Sequence, residues 1–77
     1  MSDSSTPNLN VQASMTENLR ALSGKTVSVH LASGNSLSGL VGNVGDHHLH
    51  LQELVGKEFY DAMICVNHIE ALEVRAK

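Results

Sequence analysis

The spacing of apolar residues along the chain changes once, and the change separates one helix from a run of strands. Near the N-terminus, Met15, Leu19 and Leu22 recur at intervals of four and three, which places their side chains on one face of a helix. From residue 26 onward, apolar residues largely alternate with polar ones, as in half-buried β-strands. The pattern predicts a helix over roughly residues 15–23, followed by a β-domain.

The ends of the predicted helix carry residues that begin and stop helices. Ser14 and Glu17 have capping-box spacing, in which the hydroxyl accepts from a backbone N–H and the carboxylate reaches back to the cap. Gly24 follows the last apolar residue, where a left-handed glycine commonly closes a helix. Residues 1–13 are largely polar and have little to bury, so we expect a disordered tail there and a folded domain over residues 14–77.

The rest of the chain divides into five short antiparallel strands. They are predicted at residues 26–31, 37–44, 48–52, 59–66 and 69–74. Gly39 and Gly42 interrupt the second strand, and glycine inside a strand marks a bend or a close backbone approach. The predicted fold is therefore mostly β: a short N-terminal helix and five strongly bent strands in a small barrel.

Composition limits the classes of protein that fit. A chain of 77 residues makes one domain with a marginal core, and its single cysteine, Cys65, cannot form an internal disulfide. A metal or self-association is left as extra stabilisation. The net charge of −3 argues against a general nucleic-acid coat, although a local pocket for a single strand remains open.

Several common signals are absent from the sequence. No long apolar run or signal sequence is present, which predicts a soluble, cytoplasmic protein without a membrane partner. The lone thiol fits a reducing compartment. No phosphate-binding glycine loop, nucleophile motif or paired Cys-x-x-Cys is found, so we expect neither an enzyme nor a cofactor.

Residues 19–74 resemble the Sm/LSm family, including its bacterial Hfq branch. The resemblance rests on the segments LSGKTVSVHL, SGNSLSG and VGDHHLHL. Asp46 and His48 match the Asp-x-His-Met-Asn-Leu element of Sm proteins, and His50 stands where asparagine is usual. Gln12 takes the place of a glutamine at the helix entry of Hfq.

The second half departs from the family. Ile64 matches the Ile-Arg-Gly element of Sm proteins, but Cys65 replaces its arginine. Where Hfq has Tyr-Lys-His the chain keeps Tyr60, and Asp61 stands in place of the lysine. The resemblance therefore places an anion, Asp61, on a rim that faces RNA in Hfq. The alternative is that Asp61 pairs with a cation such as Lys57 or Arg75, or faces solvent away from any RNA.

The resemblance implies a homo-oligomeric ring, in which strand four of one subunit pairs with strand five of the next. Exposed sheet edges are commonly managed by such pairing, and the predicted fourth strand is apolar with one charge. The expected interface residues are Phe59, Met63, Ile64 and Leu72.

The resemblance also implies binding of single-stranded RNA. His48 would stack on a base, Asp46 would orient the loop, and His50 would offer one hydrogen bond. The full set of expected RNA-binding residues is Asp46, His48, His50, Gln12, Asn67 and His68.

The histidines also fit two roles without RNA. Alternation places His48 and His50 on the polar side of their strand, where they could simply face water. The same His-x-His spacing could bind zinc if Asp46 or a neighbouring subunit added a ligand. The leading hypothesis is an RNA-binding ring, and the alternative is an oligomeric scaffold or protein-interaction module, with partners unknown, that has lost RNA binding.

Overall fold

The structure is a computed structural model that describes residues 9–75. Its elements are α1 (Met15–Ala21), β1 (Thr26–Leu31), β2 (Ser36–Val44), β3 (His48–Gln52), β4 (Ala62–Cys65), a 3-10 turn (Val66–His68) and β5 (Ile69–Val74). Most of the predicted tail lies outside the described residues, so the division at residue 13 stays a prediction. Within residues 9–75, no helix is long and apolar enough to cross a membrane.

The short helix α1 begins and ends as its sequence predicts. The Ser14 Oγ accepts from the Glu17 N–H at 3.1 Å, and the Ser14 N–H donates to the Glu17 carboxylate at 2.9 Å. Gly24 has the expected left-handed backbone, with φ +83°, and its N–H donates to the Val41 carbonyl at 2.8 Å. The turn at Gly24 therefore delivers the chain directly from the helix into the sheet.

The strands form one antiparallel sheet in the order β4-β3-β2-β1-β5. The long strand β2 pairs with β1 through its first half and with β3 through its second half. Leu40 belongs to both pairings, opposite Thr26 on one side and Gln52 on the other. The sheet is strongly bent and open, with β4 and β5 as its two edges, which confirms the predicted fold class.

The core lies on the concave side of the bent sheet, where α1 closes it. Leu49 and Leu51 are completely buried between the outward-facing histidines of β3, as alternation predicts. Leu19 and Leu22 of the helical region pack into the same cluster. The remaining buried apolar residues are Val27, Val29, Val41, Leu54, Ile64, Val66 and Ile69.

The fourth strand is shorter than the sequence predicts. Residues 59–61 lie in the loop before β4, where Phe59 takes left-handed backbone with φ +70°, which no strand allows. Val66 begins the 3-10 turn instead of ending the strand. The predicted strand over 59–66 was therefore too long at both ends, because backbone turns interrupt this mostly apolar segment on either side of β4.

The two glycines of β2 allow β3 to approach closely. A Cβ at Gly39 would lie 2.6 Å from the Gln52 backbone oxygen, and one at Gly42 would lie 2.9 Å from the Gln52 side chain. The distance at Gly39 is incompatible with an unshifted β2–β3 pair, whereas at Gly42 the Gln52 side chain would have to move aside. The prediction that these glycines mark a close approach is confirmed.

We expect Gly39→Ala to destabilise the fold by ~1–3 kcal/mol, because the added methyl group must push the backbone of β3 away. Gly45→Ala is the matched control, since its Cβ would meet the His48 carbonyl at an ordinary 3.6 Å. Urea unfolding of both variants measures the difference. Equal stability of the two variants would show that the close approach is not a constraint.

Candidate nucleic-acid interface

The loop between β2 and β3 is tied to the helix through Asp46. The Arg20 Nη2 donates to the Asp46 carboxylate at 3.1 Å, and the Arg20 Nε donates to the Val44 carbonyl at 3.4 Å. Both side chains are at least half exposed, so the pair positions the loop and adds little stability. This contact ties Asp46 to α1, and the role of Asp46 in RNA binding stays a prediction.

The same loop lies against the link between β4 and β5. The Val66 N–H donates to the His47 carbonyl at 2.9 Å, so Asn67 and His68 follow directly after a residue bonded to the loop. Asn67, His68 and His48 are all exposed. The structure therefore sets the loop of Asp46 and His48 against the start of the link that carries Asn67 and His68, whose other end bonds to the β1–β2 turn through the Ala32 N–H and the His68 carbonyl at 2.8 Å.

Gln12, also expected to bind RNA, lies apart from this group. It precedes the first residue of α1, whereas Arg20, which contacts Asp46, lies in the last turn. The helix between them is roughly 10 Å long at about 1.5 Å per residue. The Gln12 N–H donates to the Asn10 side chain at 2.9 Å, in a turn before the helix. The described residues do not join Gln12 to the histidine loop.

The outward face of β3 and β4 carries two cross-strand pairs. His48 stands opposite Cys65, and His50 stands opposite Met63. Residues that are directly opposite in an antiparallel pair have Cβ atoms about 4.5–5.5 Å apart, so their side chains are neighbours. The prediction that both histidines point outward is confirmed. The identity of their neighbours, Cys65 and Met63, depends on the register between β3 and β4, which the alternation of residues does not predict.

His50 is occupied by a carboxylate of its own chain. Its Nε2 lies 3.0 Å from Asp61, whose other oxygen accepts from the Glu53 N–H at 3.0 Å. The partner that the structure gives Asp61 is thus His50, a pairing that the sequence did not predict. One nitrogen of the ring predicted to read a base edge already has a partner.

These hydrogen bonds also set the charge state of Asp61. The Glu53 N–H and then the His50 ring hold the pKa of the carboxyl below its usual value of 3.8, because both favour the ionised form. The ionised Asp61 lines a cleft together with Asn43, Gly45, His48, His50 and Met63. Such a charge opposes a phosphate group entering that cleft.

The zinc interpretation of His48 and His50 gains no support from the geometry. Among residues 9–75, no group of three His, Cys, Asp or Glu side chains is arranged to hold a metal ion. Asp46, the third ligand considered from the sequence, is paired with Arg20.

The four predicted interface residues differ in accessibility. Met63 on the edge strand β4 is 77% exposed, and Leu72 on the edge strand β5 is half-buried. Ile64 is only 5% exposed and packs in the core of its own subunit, so a charge there would disrupt folding. Phe59 is 99% exposed but precedes β4. Of these four, Met63 and Leu72 lie on sheet edges with side chains that a second copy could cover.

The structure makes one pH-dependent prediction. The stabilisation from ionised Asp61 is fully present above pH 3.8 and is lost as the pH falls through the lowered pKa. An NMR titration of the carboxylate should therefore give a midpoint below 3.8. In His50→Asn the midpoint should rise but remain low, because the Glu53 N–H still donates. A wild-type midpoint at or above 3.8 would contradict both hydrogen bonds.

Comparisons with known proteins bear on the fold. No model of a protein family and no curated protein sequence matches the chain. Among solved structures, the chain is similar to a novel Sm-like archaeal protein from Pyrobaculum aerophilum, with a TM-score of 0.67 and 21% sequence identity. The match covers 80% of this chain and 52% of that protein, so the chain spans about half of its length. At this identity the likeness shows an Sm-like fold.

Proposed function

We propose that the chain is a subunit of an Sm-like homo-oligomeric ring that binds single-stranded RNA weakly, without enzymatic activity. The observation that carries the proposal is the hydrogen bond from the Val66 N–H to the His47 carbonyl, which sets the loop before exposed His48 against the link that carries exposed Asn67 and His68 in an Sm-like fold. Aromatic and amide side chains of this kind can stack on and hydrogen-bond to unpaired bases. The lone thiol of Cys65 fits a reducing compartment, so the cytoplasm is the proposed location.

The ring is supported by the two open edges of the sheet. An unpaired edge presents backbone N–H and C=O groups that pair readily with another strand. Beside β5, a groove is lined by the apolar residues Leu9, Val11, Ala13, Met15, Ala71 and Leu72 and by the polar residues Asn10, Asn18 and Glu70. On the opposite edge, β4 exposes Met63. Pairing β4 of one copy with β5 of the next would satisfy both edges and cover this apolar surface.

RNA binding by a single subunit is expected to be weak. Arg20, the α1 cation that contacts the loop, is paired with Asp46, and Asp61 adds a negative charge next to His50. Stacking on His48 would contribute ~1–3 kcal/mol for each base. A ring repeats this contact once per subunit, so a long strand could gain affinity through multivalency.

A scaffold without RNA binding is the second candidate. The Asp61–His50 contact favours this candidate, because Asp61 occupies the His50 imidazole that would otherwise read a base. Cys65, opposite His48, also lacks the positive charge of the arginine that the Sm pattern has at this position. The two candidates share the ring and differ only in the response to RNA.

Light scattering at micromolar concentration should give a mass several times the 8.2 kDa of one chain. Met63→Glu should lower this mass. It adds a negative charge to the edge strand β4, and in the ring the neighbouring β5 would carry Glu73 on its outward face, so the two charges would repel.

The matched control is Val55→Glu, which adds the same charge to an exposed apolar residue outside both edge strands. This variant should keep the wild-type mass. A wild-type protein that is folded and monomeric would overturn the ring, and equal masses for both variants would exclude β4 from its interface.

His48→Ala should weaken binding of short U-rich or A-rich RNA by ~1–3 kcal/mol without changing the mass. Asp61→Asn should have the opposite effect, because it removes a negative charge and keeps an oxygen that can accept from the Glu53 N–H. Fluorescence anisotropy of a labelled oligonucleotide at low and moderate salt measures both effects. RNA binding that is absent, or that neither substitution alters, would favour the scaffold.

A further inference from the structure

The loop over residues 53–61, which joins β3 to β4, has a defined internal structure. Its Leu54 is buried in the core, and the Leu54 N–H donates to the Tyr60 carbonyl at 3.0 Å. The Tyr60 N–H donates to the Lys57 carbonyl at 3.1 Å, and the Val55 N–H donates to the Ser38 carbonyl of β2 at 2.9 Å. These bonds hold the loop in one shape against the sheet.

Apart from Leu54, the large apolar side chains of this loop are exposed to solvent. Phe59 is 99% exposed, and Val55 and Tyr60 are each about two-thirds exposed, at 66% and 65%. These exposed positions include both aromatic residues of the chain, Phe59 and Tyr60. Aromatic side chains exposed on a backbone of defined shape are common in protein interfaces.

The backbone of Phe59 is strained. Its φ of +70° lies in the left-handed region, which costs a bulky residue energy that glycine or asparagine would largely avoid. A strained residue whose ring contributes nothing to the core is not explained by folding. Such strain commonly marks a functional position.

The charges around Phe59 select the chemistry of the partner. A cleft in the loop is lined by Glu53, Leu54, Val55, Glu58 and Phe59, so two carboxylates border an apolar floor. Within residues 9–75, the structure gives neither glutamate an ion-pair partner. Such a cleft repels phosphate and attracts a cation.

We propose that the loop over residues 53–61 is a docking site for a basic, apolar peptide segment of a partner protein. A Lys or Arg side chain would lie over the Phe59 ring as a cation–π contact, with Glu53 and Glu58 as its counter-ions. An apolar neighbour in the peptide would contact Val55. The site lies within one chain and does not depend on ring formation.

Charge complementarity argues against a second copy and against RNA as the occupant. A second copy of this chain carries eight acidic residues and five Lys or Arg residues, so it is a poor match for an acidic cleft. RNA would bring phosphates next to Glu53 and Glu58. A basic segment satisfies both the carboxylates and the exposed aromatic ring.

The test is anisotropy of a fluorescein-labelled peptide of alternating leucine and arginine, titrated with the full chain. Control peptides replace arginine with glutamate, or leucine with serine. We expect the Leu-Arg peptide to bind at least about tenfold more tightly than either control, with affinity falling as salt rises. Equal binding of all three peptides, or binding of none, would overturn the proposal.

Three variants assign the binding to the cleft. Phe59→Asn should weaken peptide binding about tenfold while raising the urea midpoint, because asparagine tolerates left-handed backbone. Glu53→Gln with Glu58→Gln should weaken binding and flatten its salt dependence. Lys57→Gln is the control and should bind at least as well as wild type.

The same variants distinguish the alternative occupants. A fall in the light-scattering mass of Phe59→Asn would assign the loop to a second copy. Tighter binding of labelled oligouridylate than of peptide, lost in the same variant, would assign it to RNA. Either result, or unchanged peptide affinity in Phe59→Asn, would overturn the proposal.

Discussion

The close contact between β2 and β3 is the constraint on which the other features of the fold depend. Gly39 and Gly42 let the backbone and side chain of Gln52 approach where any Cβ would collide. The register of the two strands also shifts between Val41 and Val44. Because β2 can bend there, its two halves pair with different partners, and a small chain can curve one sheet around a single core.

That bend also determines which loops meet. It brings the loop after β2 beside the link between β4 and β5, where the Val66 N–H bonds to the His47 carbonyl. The helix contributes Arg20, which holds Asp46 from the other side. The surface around His48 is thus assembled from α1, the loop between β2 and β3 and the link between β4 and β5, which are distant in sequence. The open sheet leaves β4 and β5 as edge strands, whose unpaired backbone groups can pair with another strand.

The loop before β4 contacts His50 on β3 through Asp61 and also carries the exposed Phe59. Asp61 ends this loop and bonds both to His50 on β3 and to the Glu53 N–H at the loop's start. A single carboxylate therefore closes the loop and occupies a ring that could otherwise contact a base. The loop in turn exposes Phe59 at a strained backbone angle. One loop of this Sm-like fold therefore holds both the carboxylate that occupies His50 and the exposed ring of Phe59.

Short-range patterns in the sequence determined much of this architecture. The helix with its Ser14–Glu17 cap, the glycine bend of β2 and the outward direction of His48 each depend on residues close together in the chain, so periodicity and local steric rules were sufficient. The tertiary structure alone decided the Asp61–His50 contact, the burial of Ile64 and the short β4. Those features depend on strand register and on the path of the loop before β4. Register and loop path are set by the packing of the whole core, which no local pattern records.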